Sequence, residues 1–371
     1  MKGWTLRTSF PRCGRPEARP GQATPRTLSY SLLCLKGKYN PLWKALSRKI
    51  LLTSLLCGCI FLRKMLRPYD RVLKGFRGEV VKEEPLCRHT SYRIGGPADL
   101  YLVPADEEDL KGLLRRASEA GVPTFTLGNG SKLLVHDEGV RGVVVDVRKV
   151  SDRIVLKDDE VSVGAGTELD LLAAWTVGEG LEGFAELSGI PGTVGGAIAM
   201  NAGAFGRTIS ELLTEVRALA PDGREVVLSK HEVGFGYRKG LEGFVVLSAK
   251  FRPERKDPEL LWEKRREVLK LRSEKQPLEH PSAGSVFKRP PGDYAGRLIE
   301  EAGCKGMRVG DAMVSPKHAN FVVNLGRAKA SEVWALICEV RRRVEEKFSV
   351  DLELEVRLWG FRGLSTRGSQ R

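Results

Sequence analysis

The sequence lacks most of the patterns that mark common chemistries. It has no GxxxxGK[ST] phosphate loop, and no GxGxxG follows a first strand, so the common nucleotide folds are not indicated. No GxSxG nucleophile elbow occurs. Histidine is scarce: His89, His136, His231, His280 and His318 are all there are, and none shows HxxxH or HExxH spacing. Of seven cysteines, only Cys87, Cys304 and Cys338 lie beyond residue 64, far apart and without a CxxC pair. That argues against a zinc site or a disulfide framework and fits a reducing, cytoplasmic setting. Metal ligation is not expected. Long apolar runs are also missing. The most apolar stretch, Ile50–Leu62, has thirteen residues, short of the roughly 20 that span a bilayer.

The charge is one-sided only in part of the chain. The 371 residues carry a net +14, but thirteen of the 61 Lys and Arg and one of the 47 acids lie in residues 1–64. The rest, with 48 basic and 46 acidic residues, is almost neutral. A nucleic-acid partner would need a basic face on the folded body, and none is expected. Residues 1–64 form an extension whose apolar run has the length of a signal-peptide core. It lies fifty residues in, however, and no small-x-small cleavage pattern follows it. The expectation is a natural start at Met65. A membrane-associating extension and a targeting peptide are the alternatives, and no stable membrane insertion is expected.

What the body does have is glycine. Ser188–Gly206 (SGIPGTVGGAIAMNAGAFG) holds six glycines and four alanines in nineteen residues. Glycine costs roughly 1 kcal/mol per interior helix position, so an ordinary helix is not expected. Bare amides and turns with φ > 0 let such a chain approach a phosphate or a flat ring system. A Gly/Ala-rich helix–turn packed tightly on a sheet is the alternative. A second loop, Gly128–Ser131 (GNGS), follows a short strand at Thr124–Leu127. That order suits a nest of backbone amides around a phosphate, although glycine turns after strands are common.

Periodicity predicts an α+β chain. Strands are expected at Leu100–Val103, Gly142–Val147, Glu160–Gly164, Phe244–Phe251, Asn320–Asn324 and Leu352–Leu358. Helices are expected at Asp106–Gly121, Leu169–Glu179, Leu260–Lys275, Tyr294–Ala302 and Ala330–Phe348. Pro221-Asp222-Gly223 signals a hairpin. Three polar residues stand in small or apolar surroundings: Arg238 in a glycine-flanked turn, Ser285 after Gly284, and Glu355 between Leu354 and Val356. Each alone could be ordinary: a surface cation, a strand hydroxyl, and the outward position of an alternating strand.

Together these segments resemble a known family. TSYRIGGPADLYLVP, LGNGSKLLV, GIPGTVGGAIAMNAGAFG, FGYRKG, HPSAGSVFKRP, SPKHANFVVNLG and LELEVRLWG occur in the order found in bacterial UDP-N-acetylenolpyruvoylglucosamine reductases, also called UDP-N-acetylmuramate dehydrogenases. They cover roughly Val72–Gly360. The short spacing from Arg238 to Ser285 resembles the form lacking an inserted tyrosine loop. The resemblance implies an α+β fold: a two-domain FAD-binding unit of the vanillyl-alcohol-oxidase type (65–149 and 150–253), a UDP-sugar-binding domain (254–361) and a tail (362–371). It implies FAD as cofactor, NADPH as reductant, and UDP-N-acetylenolpyruvoylglucosamine as substrate in peptidoglycan precursor synthesis by a cytoplasmic monomer.

By the same resemblance, FAD contacts fall on Gly128, Asn129, Gly130, Ser131, Ile190, Pro191, Gly192, Thr193, Gly195, Gly196, Ala202 and Gly203. Arg238 takes the role of charge stabiliser, Glu355 that of its acidic partner, and Ser285 that of proton donor. Tyr237, Arg272, Lys275, Lys288 and Arg289 are expected to meet the UDP-sugar. Three positions depart from the family pattern. Lys132 stands for a usual Asn, Arg289 for Asn, and Phe205 for Tyr. Lys132 is expected beside the FAD phosphates. The alternatives are another flavin oxidoreductase of the same superfamily, or a flavin or nucleotide-sugar binder without turnover.

Overall fold

The computed structural model describes residues 68–361. The basic segment 1–64 with its run Ile50–Leu62, the expected start at Met65 and the tail 362–371 lie outside them.

The first sheet has the order β1-β2-β5-β3, with β1 at Glu79–Pro85, β2 at Pro97–Val103, β3 at Thr124–Leu127 and β5 at Val140–Asp146. Strands β2, β5 and β3 run parallel, and β1 is antiparallel at the edge. Helix α1 (Glu107–Glu119) makes the crossover from β2 to β3. Its start follows from sequence: Asp106 accepts a hydrogen bond from Asp109 N, and three acids occupy the first turn. Its buried apolar residues Leu110, Leu113, Leu114 and Ala117 are the ones that recur at helical spacing. The short strand β4 (Leu133–Val135) follows the first glycine loop.

The second sheet is antiparallel throughout, in the order β11-β10-β12-β7-β6. It comprises β6 (Ile154–Lys157), β7 (Glu160–Gly164), β10 (Leu213–Leu219), β11 (Glu225–Ser229) and β12 (Val245–Phe251). The turn at Pro221-Asp222-Gly223 joins β10 to β11 as expected, with Gly223 at φ +81°. Helices α2 (Leu169–Gly178) and α3 (Val194–Met200) bury their apolar residues in this sheet's core. A two-strand hairpin, β8 (Gly203–Ala204) and β9 (Arg207–Thr208), follows α3.

The third sheet, β13-β16-β15-β14, is also antiparallel. Its strands are β13 (Ser282–Ser285), β14 (Arg308–Val309), β15 (Ala312–Val314) and β16 (Phe321–Asn324). Helices α5 (Ala295–Glu301) and α6 (Ala330–Phe348) share its core. The preceding helix α4 (Pro258–Lys275) packs instead on α2 and on the turn Ala185–Leu187, through Leu261 against Val177 and Ala185. Two of its four buried residues are arginines, Arg265 and Arg272.

The cores interlock. Leu219, Val245 and Leu247 of the second sheet join the core under the first, and Tyr92, Ile94 and Leu134 join the core under α6.

Two expectations are corrected. The glycine stretch does contain a helix, α3, with Gly195 and Gly196 in its first turn. The backbone cost of glycine is offset by close packing: a Cβ on Gly195 would lie 3.0 Å from Ala165 Cβ. The strand expected at Leu352–Leu358 is reduced to β17, Arg357–Trp359, paired in parallel with β4. Before it, Leu354 forms a single bridge to Phe287. The chain changes partner between the two, so neither ladder extends.

Candidate active site

The two glycine-rich loops, distant in sequence, lie against each other. A Cβ on Gly128 would sit 2.7 Å from Thr193 Oγ1, and one on Gly192 would sit 3.2 Å from Ser131 Oγ. Gly130 has φ +61° and backs onto the His89 carbonyl, which a Cβ would strike at 2.1 Å. Thr193 fixes the second loop by accepting a hydrogen bond from Gly196 N at 3.2 Å. Among the described residues, the amides of Asn129, Gly130, Ser131, Gly192 and Thr193 donate to no protein acceptor. A cradle of free amides without intervening side chains fits a pyrophosphate. Gly195 and Gly196, expected at the cofactor, serve packing and capping in α3. Ala202 and Gly203 lie beyond its far end, where Ala202 N bonds Ala197 O. Ile190 is half-buried against the second core, and Pro191 is exposed.

The end of the same stretch holds the turn that carries Arg238. Asn201, at the C-terminus of α3, donates through Nδ2 to Gly236 O at 2.9 Å. Gly236 and Lys239 exchange both main-chain hydrogen bonds, closing Tyr237 and Arg238 into a tight turn. Arg238 has φ +55°, a left-handed conformation that costs a non-glycine residue roughly 1–2 kcal/mol.

Ser285 ends β13 after a bulge at which Gly284 takes φ +70°. Asn320 pins the residues beyond it. Its Oδ1 accepts from Phe287 N at 2.9 Å, and its Nδ2 donates to Phe287 O at 2.8 Å. Glu355 is held by its own N–H, which donates to Val286 O at 2.8 Å. It is 6% exposed; the outward-facing alternative is thereby excluded.

These elements converge on one carboxylate oxygen. Glu355 Oε1 lies 2.7 Å from Lys132 Nζ and 3.2 Å from Arg238 Nε. The Lys132 ammonium also donates to the Ser285 carbonyl at 3.0 Å. Burial pushes Lys132 below the ordinary lysine range, and the Glu355 charge pulls it back. This corrects the expectation for Lys132: its side chain turns to Glu355 and Ser285. The departure from the family pattern was visible in the sequence, but its direction was not, because the partners lie more than 150 positions away.

Ser285, Arg238 and Glu355 line one cavity of about 480 Å³, with Tyr237, Arg289, Tyr294, Lys317 and His318 among its other walls. Tyr237 OH accepts from Arg289 N at 3.2 Å, and the Arg289 guanidinium lies over the Tyr294 ring. Burial holds His318 below the ordinary histidine range. The other expected substrate contacts lie off these walls. Lys288 pairs with Glu353 at 2.6 Å, and Lys275 is exposed at the end of α4. Arg272 is buried, donates through Nε to Ser188 O at 2.7 Å, and lies over the Phe205 ring. Sequence reasoning expected Asn201–Gly206 to border the substrate, whereas the Asn201 side chain holds the Arg238 turn; it missed Asn320, which works through the main chain of Phe287.

The comparisons with known proteins bear on this arrangement. A UDP-N-acetylenolpyruvoylglucosamine reductase from Symbiobacterium thermophilum is 48% identical over 288 residues, covering 76% of this chain and 93% of its own length. The chain belongs to the UDP-N-acetylenolpyruvoylglucosamine reductase family. The counterpart from Heliobacterium modesticaldum is 45% identical over 298 residues, covering 79% of this chain and 95% of its own. Residues 276–359 match the C-terminal domain of the reductase family, and residues 98–229 match an FAD binding domain. The crystal structure of the reductase from Thermus caldophilus superposes with a TM-score of 0.65 at 40% identity, covering 76% of this chain and 99% of that one. Among the described residues, no helix is long and apolar enough to cross a membrane.

Proposed function

We propose that the chain reduces the enolpyruvyl ether of UDP-N-acetylenolpyruvoylglucosamine to UDP-N-acetylmuramate, with NADPH as reductant, in peptidoglycan precursor synthesis. The observation that carries this reading is the meeting of Arg238, Glu355 and Ser285 on one cavity wall, with Lys132 tying that wall to the Gly128–Ser131 loop. The family membership supports it.

Gly128–Ser131 and Gly192–Thr193 would hold FAD, which would supply the hydride chemistry. The chain's own residues do the rest. The cavity's cations hold the anionic ends of the substrate. Arg238, fixed by its turn and by Glu355, meets the substrate carboxylate, where negative charge builds as the double bond is reduced. One preorganised donor in such a place contributes about 3–4 kcal/mol. Ser285 delivers the proton to the carbon bearing that carboxylate. A serine is a weak acid, so it must be positioned and its developing charge offset by neighbours. Glu355 is the acidic partner: its carboxylate pairs with and orients Lys132 and Arg238.

We propose the division 65–149 and 150–253 for the FAD-binding subdomains and 254–361 for the substrate domain. The three sheets support it, and the packing of α4 on α2 makes that helix the joint between the last two. We further propose a cytoplasmic monomer; the free thiols Cys87, Cys304 and Cys338 support the reducing compartment.

The test is Ser285→Ala in anaerobic stopped-flow. NADPH should reduce the bound flavin at close to the wild-type rate. Reoxidation by the enolpyruvyl sugar should slow about 10²–10⁴-fold. Equal loss in both half-reactions would remove the serine from its role.

A further inference from the structure

We propose that Lys132 is a positioning residue for proton delivery: its ammonium ties the Ser285 main chain and the Glu355 carboxylate to the Gly128–Ser131 loop. The inference rests on the reading of Ser285 as the proton donor.

The geometry is specific. Lys132 directly follows Ser131, and its own carbonyl accepts from Arg357 N at 2.8 Å, where β17 joins β4. The side chain then passes beside Gly284, whose φ of +70° shapes the bulge. Beyond it, Nζ spends one proton on Ser285 O and one on Glu355 Oε1. A single cation thus touches the assigned proton donor and the acidic partner of Arg238, from a backbone position adjoining the amides that would hold the cofactor. The bridge uses two of the ammonium's three donors, and its charge strengthens the contact to the carboxylate.

The charged groups around it are few. Glu355 faces it from the segment before β17, and Arg238 faces the same carboxylate from its turn. Arg289, Lys317 and His318 line the adjoining cavity. Arg357 is turned away toward Glu242. Loss of the Lys132 charge weakens its hold on the Ser285 carbonyl and on Glu355, and leaves Glu355 its ion pair with Arg238. Proton delivery should therefore fail on the basic side, earlier than an exposed lysine would allow. An arginine at this position stays charged across that range.

The experiment uses the full chain with bound FAD and follows both half-reactions from pH 6 to pH 10, with thermal unfolding recorded for each variant. In Lys132→Met, flavin reduction by NADPH should stay within about threefold of wild type. Reoxidation by the enolpyruvyl sugar should fall about 10²-fold, expressed in kcat with KM little changed. Lys132→Arg should recover most of that rate, and its basic limb should move up by at least one pH unit. The proposal is overturned if Lys132→Met slows both half-reactions alike, if it leaves reoxidation unchanged, or if Lys132→Arg keeps the wild-type basic limb. Should Lys132→Met fail to fold, the limb of Lys132→Arg decides. A Ser285→Ala variant with normal reoxidation would instead remove the underlying reading, whatever Lys132 does.

Discussion

Gly128→Ala tests whether the two glycine loops are built as one cradle. Gly128 has no positive φ to defend, so alanine brings no backbone strain; the only obstacle is Thr193 Oγ1, 2.7 Å from the new Cβ. That hydroxyl cannot swing away freely. Thr193 is 2% exposed and β-branched, and its hydroxyl caps α3 at Gly196 N. Making room costs the cap, about 1 kcal/mol, and overpacks the loop contact by about 1–3 kcal/mol. Thr193→Ala alone should cost only the cap. In the double variant the new methyl occupies the space the hydroxyl left, so it should resemble Thr193→Ala. The coupling energy then equals the whole cost of Gly128→Ala, about 2–4 kcal/mol, well beyond the few tenths expected of independent sites. The assay is urea denaturation of the apoprotein, paired with FAD titration by flavin fluorescence. FAD affinity should fall about 10–100-fold in Gly128→Ala and recover in the double variant. Additive effects in both measurements would refute the contact and the cradle built on it.

Asp170 ties α4 to the glycine stretch, accepting from Arg265 Nη1 at 2.7 Å and from Gly189 N at 2.7 Å. Its hydrogen bonds to Arg265 hold the carboxyl below the usual aspartate range, so its stabilisation is present above about pH 4 and is lost as pH falls through the folded value. Asp170→Asn should lose about 1–3 kcal/mol at pH 7 and progressively less toward pH 3 in urea titrations; a constant gap would show that the charge is idle. Arg238→Gly should relieve the strain at φ +55°, so the melting temperature holds or gains up to about 2 °C, while substrate-driven reoxidation falls at least 10²-fold. A marked loss of melting temperature would mean that the arginine is structural.

Much of the fold was readable because local signals agreed with tertiary demands. Helix α1 has its cap, its acidic first turn and its apolar stripe in one window, and β5 is a plain buried run. The failures share a cause: a non-local partner decided the outcome. Helix α3 forms against glycine's propensity because Gly195 lets it approach Ala165. The last strand stops short because Leu354 and Arg357 answer to different strands. In the site, Arg238, Ser285 and Glu355 were recognisable by resemblance, yet no spacing rule could show that they line one cavity. Lys132 stood out as a departure, but only the fold shows what it touches. Arg272 was assigned to the substrate from its place near the end of α4, whereas its guanidinium is buried beneath the glycine stretch.

The central claim is that this cradle and this wall serve one reductive reaction on the enolpyruvyl sugar. The most direct measurement takes the FAD-loaded full chain, bleaches it anaerobically with one equivalent of NADPH, and mixes it with UDP-N-acetylenolpyruvoylglucosamine. The yellow absorbance should return as one UDP-N-acetylmuramate forms per flavin. A flavin that stays bleached with the sugar, yet regains its colour on admission of oxygen, would contradict the account.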